Sequence, residues 1–156
     1  MSSMHTWQTI TRSAEETELL AERAGRALRG GEVVELVADL GGGKTTFSRG
    51  LVRGMGSTDT VSSPTFTISK VYQAKGKQIH HFDFYRLHEA GIIADELAEF
   101  VGDPHTVVLV EWADVVQHVL PDARLTVAIT QTPEGDRSLT FSYPDSLDYI
   151  LKAIQA

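Results

Sequence analysis

The stretch from Val33 to Phe47, Val-Val-Glu-Leu-Val-Ala-Asp-Leu-Gly-Gly-Gly-Lys-Thr-Thr-Phe, constrains the fold more than any other part of the chain. β-Branched residues open it, glycines 41, 42 and 43 turn it, and an amphipathic run from Lys44 closes it. That succession predicts strand, loop and helix. From Ala38 to Thr45 the residues read Ala-x-x-x-x-Gly-Lys-Thr, the form of a phosphate-binding loop. Glycines at Gly41, Gly42 and Gly43 allow consecutive backbone N–H groups to point at a polyphosphate with no Cβ in the way. The helix starting at Lys44 adds free N–H groups and the positive end of its dipole. Lys44 supplies a point charge for the β- and γ-phosphates, and the Thr45 hydroxyl is placed to ligate Mg²⁺.

Composition narrows the class. A chain of 156 residues, 42% hydrophobic, fits one domain spanning residues 1–156 and is too short for two ordinary ones. No apolar run approaches bilayer-spanning length, and Met1-Ser2-Ser3-Met4-His5 lacks the charged and apolar regions of a signal peptide. The absence of cysteine excludes disulfides and thiolate metal sites and fits a cytoplasmic location. A net charge of −7 argues against a broad basic face for nucleic acid, so any service to RNA is expected through a partner.

Along the chain, Trp7 and Ile10 alternate with polar residues as in a short edge strand. Ser13 followed by Ala14, Glu15 and Glu16 is a helix start, with Leu19, Leu20, Ala24, Ala27 and Leu28 at helical spacing before Gly30-Gly31. The second helix runs from Lys44 to a Gly54-Met55-Gly56 stop. Thr60 to Phe66 is a polar turn around Pro64; its hydroxyls suit either a solvated, self-capping loop or a γ-phosphate sensor. Phe66–Tyr72 and Gln78–Phe84 read as two strands about Lys75-Gly76-Lys77. His80 and His81 are adjacent, so in a strand they face opposite ways and cannot share one metal; a surface or core histidine is the ordinary reading of each. Asp83, at the end of that strand, is a candidate for positioning an attacking or Mg²⁺-bound water, against the plainer roles of pairing with Arg86 or capping the next helix. His88–Phe100 reads as a helix with an acidic face, and Arg124–Thr130 and Ser138–Ser142 as a hairpin before a closing helix.

Thr106-Val-Val-Leu-Val-Glu111-Trp112 is the second strong signal. A continuous apolar run is the mark of a central parallel strand covered on both faces. Glu111 at its C-terminal end is where a phosphate-loop ATPase keeps a magnesium-side carboxylate. Arg137, in the turn of the last hairpin, suits either a surface charge or a nucleotide contact.

Taken together, four blocks carry a resemblance that covers almost the whole chain: Asp39–Gly50, Ser63–Thr67, His81–Leu87 and Leu109–Trp112. In this order and spacing they resemble the TsaE (YjeE) family of small bacterial ATPases. Ala38, where the family usually has Gly, and Gly42, where it usually has Ala, are the departures. The resemblance implies a phosphate-loop NTPase-like α/β fold: a mixed sheet, parallel around the loop and antiparallel in peripheral hairpins, flanked by helices. It implies ATP and ADP as ligands with Mg²⁺, and a part in forming N6-threonylcarbamoyladenosine (t6A) in tRNA. In that family the protein is not the transferase; it docks on the TsaB–TsaD pair and its hydrolysis of ATP resets that assembly. The implied site has Gly41, Gly42, Gly43, Lys44, Thr45 and Thr46 on the phosphates, Thr45 and Glu111 on the metal, Asp83 near the γ-phosphate, and Ala14 and Arg137 on the nucleotide.

Two other classes use the same loop: a small-molecule kinase, which would need an arginine-rich lid that the sequence lacks, and a nucleotide-sensing module without functional hydrolysis. A GTPase is disfavoured by the absence of an Asn-Lys-x-Asp segment.

Overall fold

A computed structural model of the chain describes residues 3–38, 43–62, 69–85 and 91–156. Its elements follow the order β1 (Met4–Thr11), α1 (Ala14–Ala27), β2 (Val33–Val37), α2 (Lys44–Gly54), β3 (Ser69–Ala74), β4 (Lys77–Asp83), α3 (Gly91–Phe100), β5 (Thr106–Glu111), β6 (Leu125–Gln131), β7 (Arg137–Pro144) and α4 (Asp148–Gln155). Short 3₁₀ turns at Ala113–Val116 and Asp145–Leu147 join the later elements.

Among the described residues seven strands form one open sheet in the order β1-β7-β6-β2-β5-β4-β3. β2 pairs in parallel with β5 and β6, and β4 in parallel with β5. The hairpins β3–β4 and β6–β7 and the edge strand β1 pair antiparallel. The fold is therefore the mixed α/β sheet expected, parallel at its centre and antiparallel at its margins. The parallel strands put their C-terminal ends, and whatever those ends carry, along one rim.

The sheet is covered on both sides because side chains alternate along each strand. Val34, Leu36, Ile79 and Leu109 face α1 and α2, where Ala21, Phe47 and Leu51 meet them. Val33, Phe82, Val108 and Val110 face the other way, toward Ala94 and Leu97 of α3 and Val116. Every residue of β5 is buried, which explains its unbroken apolar run. Fully burying a side chain such as Phe47 or Leu51 contributes about 1.5–3 kcal/mol.

Helices α1 and α2 touch backbone to backbone. A Cβ on Gly50 would lie 2.2 Å from the Glu18 carbonyl oxygen, and one on Gly54 2.1 Å from that of Glu22. Arg53 seals the crossing, donating to Glu18 at 2.9 Å and Glu22 at 2.9 Å. The contact fixes α2, and with it the start of the Lys44 turn, against the sheet.

Element by element the differences from expectation are small. β1 runs eight residues, longer than its weak alternation suggests, because β7 supplies a partner along its whole length. The strand expected from Phe66 is seen from Ser69 and the helix expected from His88 from Gly91. Residues 63–68 and 86–90, including Pro64 and Arg86, lie outside the described residues, as do Gly41 and Gly42. No described helix is long and apolar enough to cross a membrane.

Candidate active site

The rim of the parallel strands gathers the charged residues. Asp83 ends β4, Glu111 ends β5, and the two are register partners across the parallel ladder. By alternation both share the face of Ile79 and Leu109, the face that α2 covers. Lys44 begins α2 directly over that rim. All three are buried, Asp83 at 5%, Glu111 at 4% and Lys44 at 8% exposure.

Among the described residues, three groups surround the Lys44 ammonium. It donates to the Ala38 carbonyl at 3.1 Å, lies 4.0 Å from Glu111 Oε1, and sits 4.3 Å over the Trp112 ring. The contacts are a carbonyl, a carboxylate beyond hydrogen-bond reach and an aromatic face. Asp83 Oδ1 accepts the Tyr85 N–H at 2.9 Å, closing a local turn at the end of β4; the expected pairing with Arg86 lies outside the described residues, and the next helix begins only at Gly91.

Two residues at the rim have left-handed backbone. Gly43, the N-cap of α2, has φ +104°, which a side chain would adopt only under strain. Trp112 has φ 55° and no such exemption. The turn it makes directs the chain away immediately after Glu111, and such local strain is typical of functional sites.

A cleft of about 140 Å³ opens beside this rim, bounded by Ser13 and Ala14 at the start of α1, Gly43 and Thr46 at the start of α2, and Arg12 and Arg137. Ser13 accepts the Glu16 N–H at 3.1 Å and so caps α1 as its sequence position predicted. The Arg137 Nε is 3.8 Å from where a Cβ on Gly43 would stand. Two helix N-termini and Arg137 border one cavity, with Arg12 and its ion-pair partner Asp136 also on its wall, an arrangement suited to an anionic ligand. Thr45 is exposed on the first turn of α2.

The sequence-predicted residues therefore fall into two adjoining groups joined by the first turn of α2: Lys44, Asp83 and Glu111 at the rim, and Ala14, Gly43, Thr46 and Arg137 on the cleft. His80 and His81 do face opposite sides, but neither is a surface residue. His81 reaches Glu111, Nε2 to Oε2 at 2.6 Å, a contact that sequence reasoning missed. The signal was present: two residues before Asp83 in a strand, His81 shares its face. His80 stacks on Phe82, meets Phe100 edge-on, and is held well below the ordinary histidine range, at about 4, first by burial and then by His81.

Residues 11–139 match the family model described as threonylcarbamoyl adenosine biosynthesis protein TsaE. The chain belongs to the TsaE family. Among its relatives, the "tRNA threonylcarbamoyladenosine biosynthesis protein TsaE" of Bacillus subtilis is 37% identical over 138 residues, covering 87% of this chain and 84% of that one. The protein of the same name from Treponema pallidum is 34% identical over 131 residues, covering 84% and 96%. A crystal structure of Bacillus subtilis YdiB superposes with a TM-score of 0.77 at 31% identity, covering 99% of this chain and 96% of that one. Both groups of site residues, from Arg12 to Arg137, lie within the span that matches the family model.

Proposed function

We propose that this TsaE-family protein is a magnesium-dependent ATPase of t6A formation, which binds ATP and resets a TsaB–TsaD transferase pair rather than transferring the group itself. The observation that carries the reading is Lys44, at the N-terminus of α2, set against Glu111 and Asp83 at the ends of two adjacent parallel strands. The cleft beside it supports a nucleotide: Ala14, Thr46 and Arg137 border a cavity continuous with Gly43.

The donor set fits Mg²⁺. Glu111 and Asp83 offer carboxylate oxygens and Thr45 a hydroxyl, the hard ligands this ion takes together with phosphate oxygens. Among the described residues no group of three His, Cys, Asp or Glu could hold a metal by itself, so the nucleotide would supply part of the coordination. The ion would be held by Thr45 and Glu111 and would neutralise charge developing on the phosphates. Lys44 turns its ammonium from the Ala38 carbonyl and Glu111 to the β- and γ-phosphates. Asp83 would orient the attacking water, and Gly41, Gly42 and Gly43 with Thr46 would hold the phosphates. The net charge of −7 supports contact with tRNA only through the partners.

The test is steady-state ATP hydrolysis by the purified protein, alone and with a cognate TsaB–TsaD pair. Slow turnover that rises on adding the pair supports the reading. Turnover indifferent to the pair removes the resetting role, and a phosphorylated small acceptor accumulating in its place would make the protein a kinase. Lys44→Ala should abolish nucleotide binding, whereas Glu111→Ala should keep binding and lose Mg²⁺-dependent turnover; equal loss of binding in both would sink this division of roles.

A further inference from the structure

His81 stands 1% exposed on the α2-facing side of β4, with Nε2 2.6 Å from Glu111 Oε2. Its other ring nitrogen, Nδ1, is buried without a hydrogen-bond partner. Buried polar atoms are paired as a rule, and this exception fixes the tautomer. A proton on Nδ1 would leave a buried donor unpaired and set two acceptors against each other at Nε2; a proton on Nε2 leaves only a bare lone pair at Nδ1 and makes the contact to Glu111 a hydrogen bond. The imidazole is therefore aimed, donor first, at one oxygen of the carboxylate. The other oxygen, Oε1, faces Lys44.

We propose that His81 is a positioning residue for the metal site: by donating from Nε2 to Glu111 Oε2 it stops the carboxylate from swinging onto Lys44 and keeps Oε1 directed at the bound magnesium–nucleotide. The inference rests on the ATPase reading above. In a buried setting the opposite charges of Lys44 and Glu111 attract strongly, and a direct pair between them would occupy both groups the phosphates and metal need. A hydrogen-bonding partner behind a ligating carboxylate typically changes metal affinity 10- to 100-fold. Tyr72 packs beside the His81 ring, centroids 6.2 Å apart, and the imidazole is itself enclosed at 1% exposure.

The experiment titrates Mg²⁺ by calorimetry into full-length protein loaded with a non-hydrolysable ATP analogue. Wild type is compared with His81→Leu, which keeps apolar bulk and removes the donor, and with His81→Gln, which returns an N–H at similar reach. Metal-free affinity for the analogue and the thermal midpoint are measured alongside. The expected result is Mg²⁺ affinity lowered about tenfold or more in His81→Leu, metal-free analogue affinity within about twofold of wild type, and recovery in His81→Gln. In a Glu111→Gln background, His81→Leu should add no further loss, because its effect passes through the carboxylate. Unchanged Mg²⁺ affinity in His81→Leu, or an equal further loss in the Glu111→Gln background, would overturn the proposal. Should His81→Leu fold poorly, His81→Asn against His81→Gln decides in the same way: Asn cannot reach Glu111 and must bind Mg²⁺ more weakly, and equal affinity of the two overturns it. A wild-type protein that binds the analogue with no response to Mg²⁺, or a Lys44→Ala variant that binds it as well as wild type, overturns the ATPase reading itself, whatever His81 does.

Discussion

Glu35 and Glu111 sit on neighbouring strands, β2 and β5, both nearly inaccessible at 7% and 4% exposure, yet their surroundings are opposite in kind. Glu35 is closed. Its Oε1 accepts from Arg124 Nε at 2.9 Å and from the Thr126 hydroxyl at 3.4 Å, and its Oε2 from Gln117 Nε2 at 2.9 Å. Arg124 is in turn fixed to the Pro121 carbonyl and to Gln117. Glu111 is half open. One oxygen is taken by His81, and the other faces an ammonium at 4.0 Å, beyond hydrogen-bond reach. A buried carboxylate with both oxygens taken by fixed donors is scaffold; one that keeps an oxygen in reserve beside a lysine ammonium is equipped for chemistry.

The largest test of that contrast is on turnover. Glu111→Gln should lower Mg²⁺-dependent ATP hydrolysis roughly a hundredfold or more while shifting unfolding free energy by less than about 1 kcal/mol, since the amide keeps the shape and an oxygen to accept from His81. Steady-state kinetics and urea denaturation of the same preparation read both. The reverse pattern, intact turnover with lost stability, would make Glu111 a second Glu35. Glu35→Leu should do what Glu111→Gln does not: it strands the Arg124 guanidinium and the Gln117 amide and costs about 3 kcal/mol by chemical denaturation.

The same opposition recurs one residue apart in β4. His81 has a charged partner and a task; His80 packs on Phe82 and Phe100, its Nδ1 has no hydrogen-bond partner, and its Nε2 stands 3.6 Å from the Glu96 carboxylate at a partly exposed position. Burial lowers its pKa from 6.5 to about 4. Well above its unfolded value of 6.5 His80 is neutral in both states and contributes no pH dependence. Below that pH the unfolded chain takes up a proton that the folded chain refuses, so stability falls as pH falls toward 4. Between pH 6.5 and 5 the loss should reach about 1.5 kcal/mol. His80→Leu should flatten that acid limb, measured as urea midpoints across the range; a limb unchanged in the variant would assign it to other groups.

How much of this the sequence disclosed follows from which contacts are local. The strand–loop–helix at Val33–Phe47 and the apolar run ending in Glu111 are written in consecutive residues, so the rim of the sheet and its two leading charges were legible. Ser13 and Ala14 were legible as a helix start, because capping is a matter of three residues. That the same start borders a cleft with Arg137 depends on β1 pairing with β7, which no local pattern announces. The Glu35–Arg124 pair joins residues 89 apart and exists only because β2 and β6 are parallel neighbours in a particular register. The glycines of α2 look like weak helix residues in sequence; their reason, the backbone of α1 at van der Waals range, is wholly tertiary. The left-handed Trp112 had no signal, since nothing about tryptophan favours that conformation.

The smallest expected effect concerns a third buried carboxylate, Glu32, just before β2 and so at the opposite end of the parallel strands from Glu111. It is closed like Glu35, but by the backbone: it accepts the N–H groups of Arg29 at 2.8 Å and Gly30 at 2.7 Å, and the Tyr149 hydroxyl as well. Tyr149→Phe removes one donor and leaves two, so the cost should be about 1 kcal/mol near neutral pH, well under that of Glu35→Leu. Burial, and then Glu32, hold the Tyr149 phenol above its usual value of 10.0. Above about pH 10 the unfolded chain therefore releases a proton that the folded chain keeps, and stability falls as pH rises. The Phe variant lacks that proton, so its disadvantage should shrink with rising pH, read as urea midpoints of both proteins at pH 8 and above about pH 10. A disadvantage that stays constant, or a loss near neutral pH as large as that of Glu35→Leu, would mean that the two backbone amides do not close Glu32 by themselves, and that the line between scaffold and working carboxylates is drawn by the number of side-chain donors rather than by whether an oxygen is left in reserve.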